Sequence, residues 1–169
     1  KIRDLSMANI VIICVEDERE VLDALVRDLE PFASRFDIEA CERADEARQI
    51  VRDTLRSGRF LGLVLADHVM PGTTGVELLV ELNNDPRTAP TRKVLVTGHA
   101  GLADTIKAVN EAGLNHYIAK PWTKDELHEV VKRQLTDFVI AQGLDVLPYL
   151  KTLDSVRLMK AMRSGPEPQ

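Results

Sequence analysis

The feature that most constrains this chain is an alternation of two textures. Short apolar runs rich in β-branched residues recur between longer stretches whose apolar residues return at helical spacing. Segment 10–15 is six residues long, too short for a helix and apolar on both faces, which suits a strand covered on both sides. Segment 19–32 places Val21, Leu22, Leu25, Val26 and Leu29 on one helical stripe, with Pro31 near its end. The same pair of textures repeats: strand 36–41 and helix 44–57, closed by Gly58; strand 61–67 and helix 74–84, ended before Pro86. Strand 93–97 precedes helix 102–112, followed by Gly113. Strand 116–119 precedes helix 123–140, where Thr123 as N-cap and Glu126 three residues later predict a capping box. Five strands and five helices in strict alternation, joined by short connections, call for a parallel sheet with helices on both faces.

Composition narrows the function classes. Acidic residues outnumber Lys and Arg by 27 to 22, giving a net charge of −5, so no global basic field argues for nucleic acid. Aromatics at 4% are too sparse for a base-stacking platform. The longest apolar runs, 10–15 and 61–66, fall far below the roughly 18 residues of a membrane span. Segment 7–15 runs straight into Glu16-Asp17-Glu18, without the basic region or cleavage site of a signal peptide. Cys14 and Cys41 lie in strand-like runs and read as buried thiols of a cytoplasmic protein.

Three segments follow from the pattern: residues 1–7 as a linker or vector remnant, 8–142 as the α/β domain, and 143–169 as a helical tail. In the tail, Asp145 is expected to cap a helix over 146–163, with Pro148 tolerated in its first turn. Some 27 residues cannot build a second core. The tail must pack on the main domain, pair with a second copy through Val146, Leu150, Leu153 and Val156, or lead into a further module.

In an open parallel sheet, ligands collect beyond the carboxyl ends of the strands. Glu16 and Asp17 follow the first strand, Asp67 ends the third, Thr97 ends the fourth, and Lys120-Pro121 follows the fifth. Three carboxylates, a hydroxyl and an ammonium thus converge from four strands on one edge. Crowded carboxylates repel unless a cation neutralises them, and oxygen donors without Cys or His suit Mg²⁺. The turn after the first strand has neither G-x-x-x-x-G-K-[ST] nor G-x-G-x-x-G, which argues against nucleotide binding at that loop. A carboxylate beside a divalent cation can instead accept a phosphoryl group as an acyl phosphate.

Val15-Glu16-Asp17-Glu18, Asp67-His68-Val69-Met70-Pro71-Gly72, Val96-Thr97-Gly98 and Tyr117-Ile118-Ala119-Lys120-Pro121 resemble, in order and placement, the receiver domain of two-component response regulators. The resemblance spans residues 8–142. It implies a flavodoxin-like three-layer fold with strand order 2-1-3-4-5 and a phosphoacceptor domain rather than a turnover enzyme. Asp67 would be the acceptor. Glu16, Asp17, Asp67 and the backbone carbonyl of Val69 would hold Mg²⁺, with Mn²⁺ as a substitute. Lys120 and Thr97 would stabilise the phosphoryl group, and Thr97 and Tyr117 would act as the switch. The donor would be a sensor histidine kinase or a phosphotransfer protein. A homodimer would use the face of helix four, strand five and helix five, or the C-terminal helix; no nucleic acid or membrane contact is implied for this chain.

The departures are informative. Glu16 stands where Asp is commoner, and Gly98 where Ala is usual, removing a methyl from the turn after strand four. Val69 and His99, two residues beyond Asp67 and Thr97, would tune the lifetime of the acyl phosphate. Val69 cannot orient water by hydrogen bonding, so a lifetime longer than seconds is expected. His68 should face away from Asp67 by strand alternation. His116 and His128 read as surface residues, and Trp122 as a partner anchor or a cap on the last helix. A carboxylate-nucleophile phosphatase needs a second acid two residues after the nucleophile, where Val69 stands. A phosphorylation-independent scaffold would not need the acceptor, Thr and Lys together. The Lys120-Pro121-Trp122 turn also occurs in receivers joined to enzymatic output modules, so a fragment of such a protein is a further reading.

Overall fold

The computed structural model describes residues 9–98 and 101–165. Segment 1–7 and His99, both given roles above, lie outside the described residues. The strands are β1 (Ile10–Val15), β2 (Asp37–Cys41), β3 (Phe60–Ala66), β4 (Arg92–Thr97) and β5 (His116–Ala119). They pair in parallel in the order β2-β1-β3-β4-β5, the flavodoxin-like arrangement expected. The helices are α1 (Arg19–Asp28), α2 (Ala44–Arg56), α3 (Gly75–Asn84), α4 (Leu102–Glu111), α5 (Lys124–Ala141) and α6 (Ser155–Arg163).

Strand alternation divides the core into two layers. Ile10, Ile12 and Cys14 of β1 join α1, α5 and the tail in one apolar cluster, while Val11, Ile13 and Val15 join α2, α3 and α4 in the other. Every residue of β1 is buried, which is why the run reads as continuously apolar. Both cysteines are buried and free, and burial pushes both thiols well above their ordinary range. Among the described residues no helix is long and apolar enough to cross a membrane.

Several boundaries move for local reasons. The first helix ends at Asp28, and Pro31 lies in a separate short 3₁₀ helix, Glu30–Phe32, because its ring is compatible only with the start of a helical turn. At the start of α5, the Thr123 hydroxyl accepts from the Glu126 amide, but the full reciprocal capping box closes at Thr74 and Glu77, opening α3. Lys93, the second residue of β4, is buried, and its Nζ donates to the carbonyls of Ala89 (2.9 Å) and Thr91 (2.8 Å). Burial, reinforced by the neighbouring Arg92 charge, pushes its pKa down to about 8.

The tail departs most from expectation. No helix runs over 146–163. Asp145 accepts instead from the nearby Leu147 amide, a short 3₁₀ helix spans Leu147–Tyr149, and Asp154 caps α6 by accepting from the Arg157 amide. Irregular backbone here lets Val146, Tyr149, Leu153 and Leu158 all turn into the α1–α5 core. Tyr149 stacks on Phe36 with ring centroids 5.5 Å apart, and the Asp154 amide donates to Thr136 Oγ1 on α5. Of the four residues expected to pair with a second copy, Val146 and Leu153 are buried, Leu150 packs on the same core, and Val156 is 75% exposed. The tail packs on its own domain. In this packing Val146 and Leu153 face the domain's own core, and Val156 alone of the four is largely exposed.

Candidate functional site

The carboxyl edge of the sheet is built by extending its ladder past the strands. The Glu16 amide donates to the Cys41 carbonyl and the Asp67 amide to the Val15 carbonyl, both at 2.9 Å. These bonds fix where two acids leave the sheet, although both side chains are nearly sealed: Glu16 is 2% and Asp67 5% exposed. Asp17 is exposed. One oxygen from each of Glu16, Asp17 and Asp67 can be chosen so that all three lie within 4.8 Å of one another.

Lys120 is the counter-charge. Its Nζ is 2.5 Å from Glu16 Oε2 and 3.4 Å from Asp67 Oδ2. It follows β5 directly, and its amide donates to the Thr97 carbonyl at 3.3 Å. Burial raises the Glu16 pKa above the usual carboxylate range. The nearby Asp67 pushes the same way, opposed by hydrogen bonds from Lys120 and from the Glu18 amide. Burial alone would lower the Lys120 pKa, but the Glu16 hydrogen bond and the two carboxylates outweigh it and raise it. One ammonium faces three carboxylates, so the site retains negative charge. The donors are hard oxygens, which fits a divalent cation such as Mg²⁺ better than a transition metal.

Around this cluster lies an open cavity of about 800 Å³, lined by Asp17, Asp67, Val69, Gly98, Lys120 and Trp122 among others. Thr97 is fully buried at the end of β4, in register with Ala119, the residue before Lys120. Tyr117 is half-buried, and its hydroxyl donates to the Thr97 carbonyl at 2.9 Å. His68 lies outside the carboxylate group. Trp122 is neither a free anchor nor simply a cap: its indole N–H donates to Asp28 Oδ2 at 3.0 Å, tying α1 to the turn after β5. His128 is not a bare surface residue either, since it bonds the Asp28 carbonyl and packs edge-on against Phe32.

One functional position escaped the sequence reading. A Cβ built on Gly75, the first residue of α3, would stand 2.0 Å from the Asp67 carbonyl oxygen, so only glycine lets α3 start against the end of β3. The available signal was a glycine directly after the N-cap Thr74, where a better helix former would be ordinary. At Gly98 a Cβ would meet Lys120 at an ordinary 3.8 Å, so the missing methyl leaves space rather than relieving a clash.

Comparison with known proteins accounts for this arrangement. The family model described as "Response regulator receiver domain" matches residues 12–132. The chain belongs to that family. Among the receiver's relatives, the hydrogenase transcriptional regulatory protein HoxA of Cupriavidus necator is 36% identical over 140 residues, covering 83% of this chain and 26% of HoxA. The chain therefore spans about a quarter of that relative's length. A CheY-like receiver from Methanospirillum hungatei superposes with a TM-score of 0.66 at 29% identity, covering 76% of this chain and 94% of that one. The receiver domain of an HD domain-containing protein from Pseudomonas fluorescens gives a TM-score of 0.69 at 24% identity, covering 79% and 91%, a likeness of fold. The receiver is thus a two-component signalling module with an acidic pocket at the carboxyl edge of its sheet.

Proposed function

We propose that this receiver is a phosphorylation switch with Asp67 as acceptor. A carboxylate oxygen of Asp67 attacks the phosphorus of a phosphohistidine on a sensor kinase or phosphotransfer protein. The new P–O bond forms as the donor's P–N bond breaks, and the departing imidazole keeps the electron pair. Small acyl phosphates serve as alternative donors. Glu16, Asp17, Asp67 and the Val69 carbonyl would hold Mg²⁺, or Mn²⁺ in its place. When bound, such an ion neutralises charge on the phosphoryl oxygens. Lys120 turns from Glu16 toward the phosphoryl group, and the Thr97 hydroxyl donates to it. The supporting observation is that two buried carboxylates share the Lys120 ammonium while Asp17 stands within reach of the same point.

Tyr117 links the site to the surface. Its hydroxyl holds the Thr97 carbonyl, so movement of Thr97 toward the phosphoryl group shifts the ring and changes the α4–β5–α5 face. This is a population shift read by whatever partner prefers one state, a second copy included. Val69, Gly98 and His99 would set how long the acyl phosphate lasts. The receiver catalyses only its own phosphorylation and dephosphorylation, and the quarter-length match to HoxA supports its being the input module of a longer regulator. Incubation with labelled acetyl phosphate and Mg²⁺ tests the acceptor: wild type takes up label and Asp67→Asn does not. Equal uptake by both would overturn the assignment.

A further inference from the structure

The β3–α3 connection carries Val69 past the carboxylates, and its fixation is uneven. At its neck the Gly75 amide donates to the His68 carbonyl at 3.1 Å. Met70 is buried in the α2–α4 core, while Val69 is 52% exposed and Gly72 turns the chain with φ +79°. Among the described residues, the only side-chain hydrogen bond reaching residues 69–73 from another element comes from Arg48 on α2, whose Nη2 donates to Thr73 Oγ1 at 2.9 Å.

We infer that Arg48 is a positioning residue for this connection, so that divalent-cation affinity at the carboxylate site depends on a guanidinium held outside it. This rests on the metal-dependent reading above. The guanidinium uses four of its N–H groups on three elements. Nε and Nη2 form a fork on Glu81 of α3 (2.8 and 2.7 Å), Nη1 meets Asp45 of α2 (2.7 Å), and the second Nη2 proton goes to Thr73. The Arg48 and Glu81 side chains are 29% and 48% exposed. A pair so exposed adds little to stability. Its value is geometric: the planar fork fixes the direction of the remaining donor, which an ammonium on a flexible stem cannot do. With that donor removed, Met70 and the neck alone hold the connection, and the Val69 carbonyl must be ordered when the cation binds.

Calorimetric titration of the 169-residue chain with MgCl₂ tests this, alongside thermal unfolding without metal. Arg48→Met should weaken Mg²⁺ binding by roughly tenfold, the low end of losses when groups orienting metal ligands are removed. Thr73→Val should weaken it several-fold with an unfolding midpoint within about 2 °C of wild type. The double variant should bind no more weakly than Arg48→Met, because both changes remove one interaction. Arg48→Lys should behave like Arg48→Met. Wild-type binding with unchanged affinity in both single variants, or full recovery in Arg48→Lys, would overturn the role of Arg48 and leave the phosphoacceptor reading standing. Absence of Mg²⁺ binding by wild type would remove both.

Discussion

The carboxyl edge of the sheet and the tail beneath α5 treat burial in opposite ways. At the edge, Glu16 and Asp67 are nearly sealed from water with one shared ammonium between them. In the tail, Tyr149, Leu153 and Leu158 are sealed by apolar contact and ring stacking. The first arrangement costs stability, because like charges in a poorly hydrated site repel. The second supplies it. The difference separates where this domain concentrates charge from where it is held together, and the proposed function gives the charge its purpose: a cation and a phosphoryl group handled at one end.

That contrast gives substitutions of opposite sign. Leu158→Ala, emptying a fully buried position on α6, should destabilise by about 2–4 kcal/mol in urea unfolding. Asp67→Asn, measured without divalent cations, should stabilise by about 1 kcal/mol as like-charge repulsion is relieved. Loss of stability in both would erase the distinction.

Lys93 sharpens the comparison as a buried charge away from the site. Its folded pKa, pushed down to about 8, lies below its ordinary 10.5, so the unfolded chain binds more protons between those values. The stability contributed is present above 10.5 and lost as pH falls through about 8. A pH series should therefore show a rise on the order of 1–2 kcal/mol across that window, limited because two carbonyls satisfy the charged ammonium. Lys93→Met should flatten the rise. The smallest effect belongs to Gly98→Ala: the methyl meets only Lys120 at ordinary distance, so a gain of about 0.4–1 kcal/mol is expected from a less flexible unfolded chain. A loss instead would mean that the turn after β4 requires glycine.

The two regions were also unequally legible in the sequence. Strand alternation and helical stripes yield the sheet and its helices because each segment buries a face set by its own period. Glu16, Asp17, Asp67, Thr97 and Lys120 could be placed together because topology alone brings strand ends to one edge. Gly75 and Arg48 were not legible. Their roles depend on distances across elements, a helix start against Asp67 and a guanidinium reaching Thr73, which no local pattern encodes. The tail misled for a related reason: Asp145 offered a good cap, yet burying Val146, Tyr149 and Leu153 together outweighed helix continuity. The bonds of His128 and Trp122 were not legible because their shared partner, Asp28, lies at the end of a distant helix.

The central claim is that Asp67 captures a phosphoryl group at a carboxylate cluster occupied by a divalent cation. Borohydride reduction after acetyl phosphate treatment, followed by tandem mass spectrometry, reads it directly, since reduction of an aspartyl phosphate leaves homoserine. Homoserine at position 67, in samples containing Mg²⁺ and absent from those with chelator, is the predicted result. Homoserine at position 17, or an unmodified chain in the presence of Mg²⁺ and donor, would contradict it.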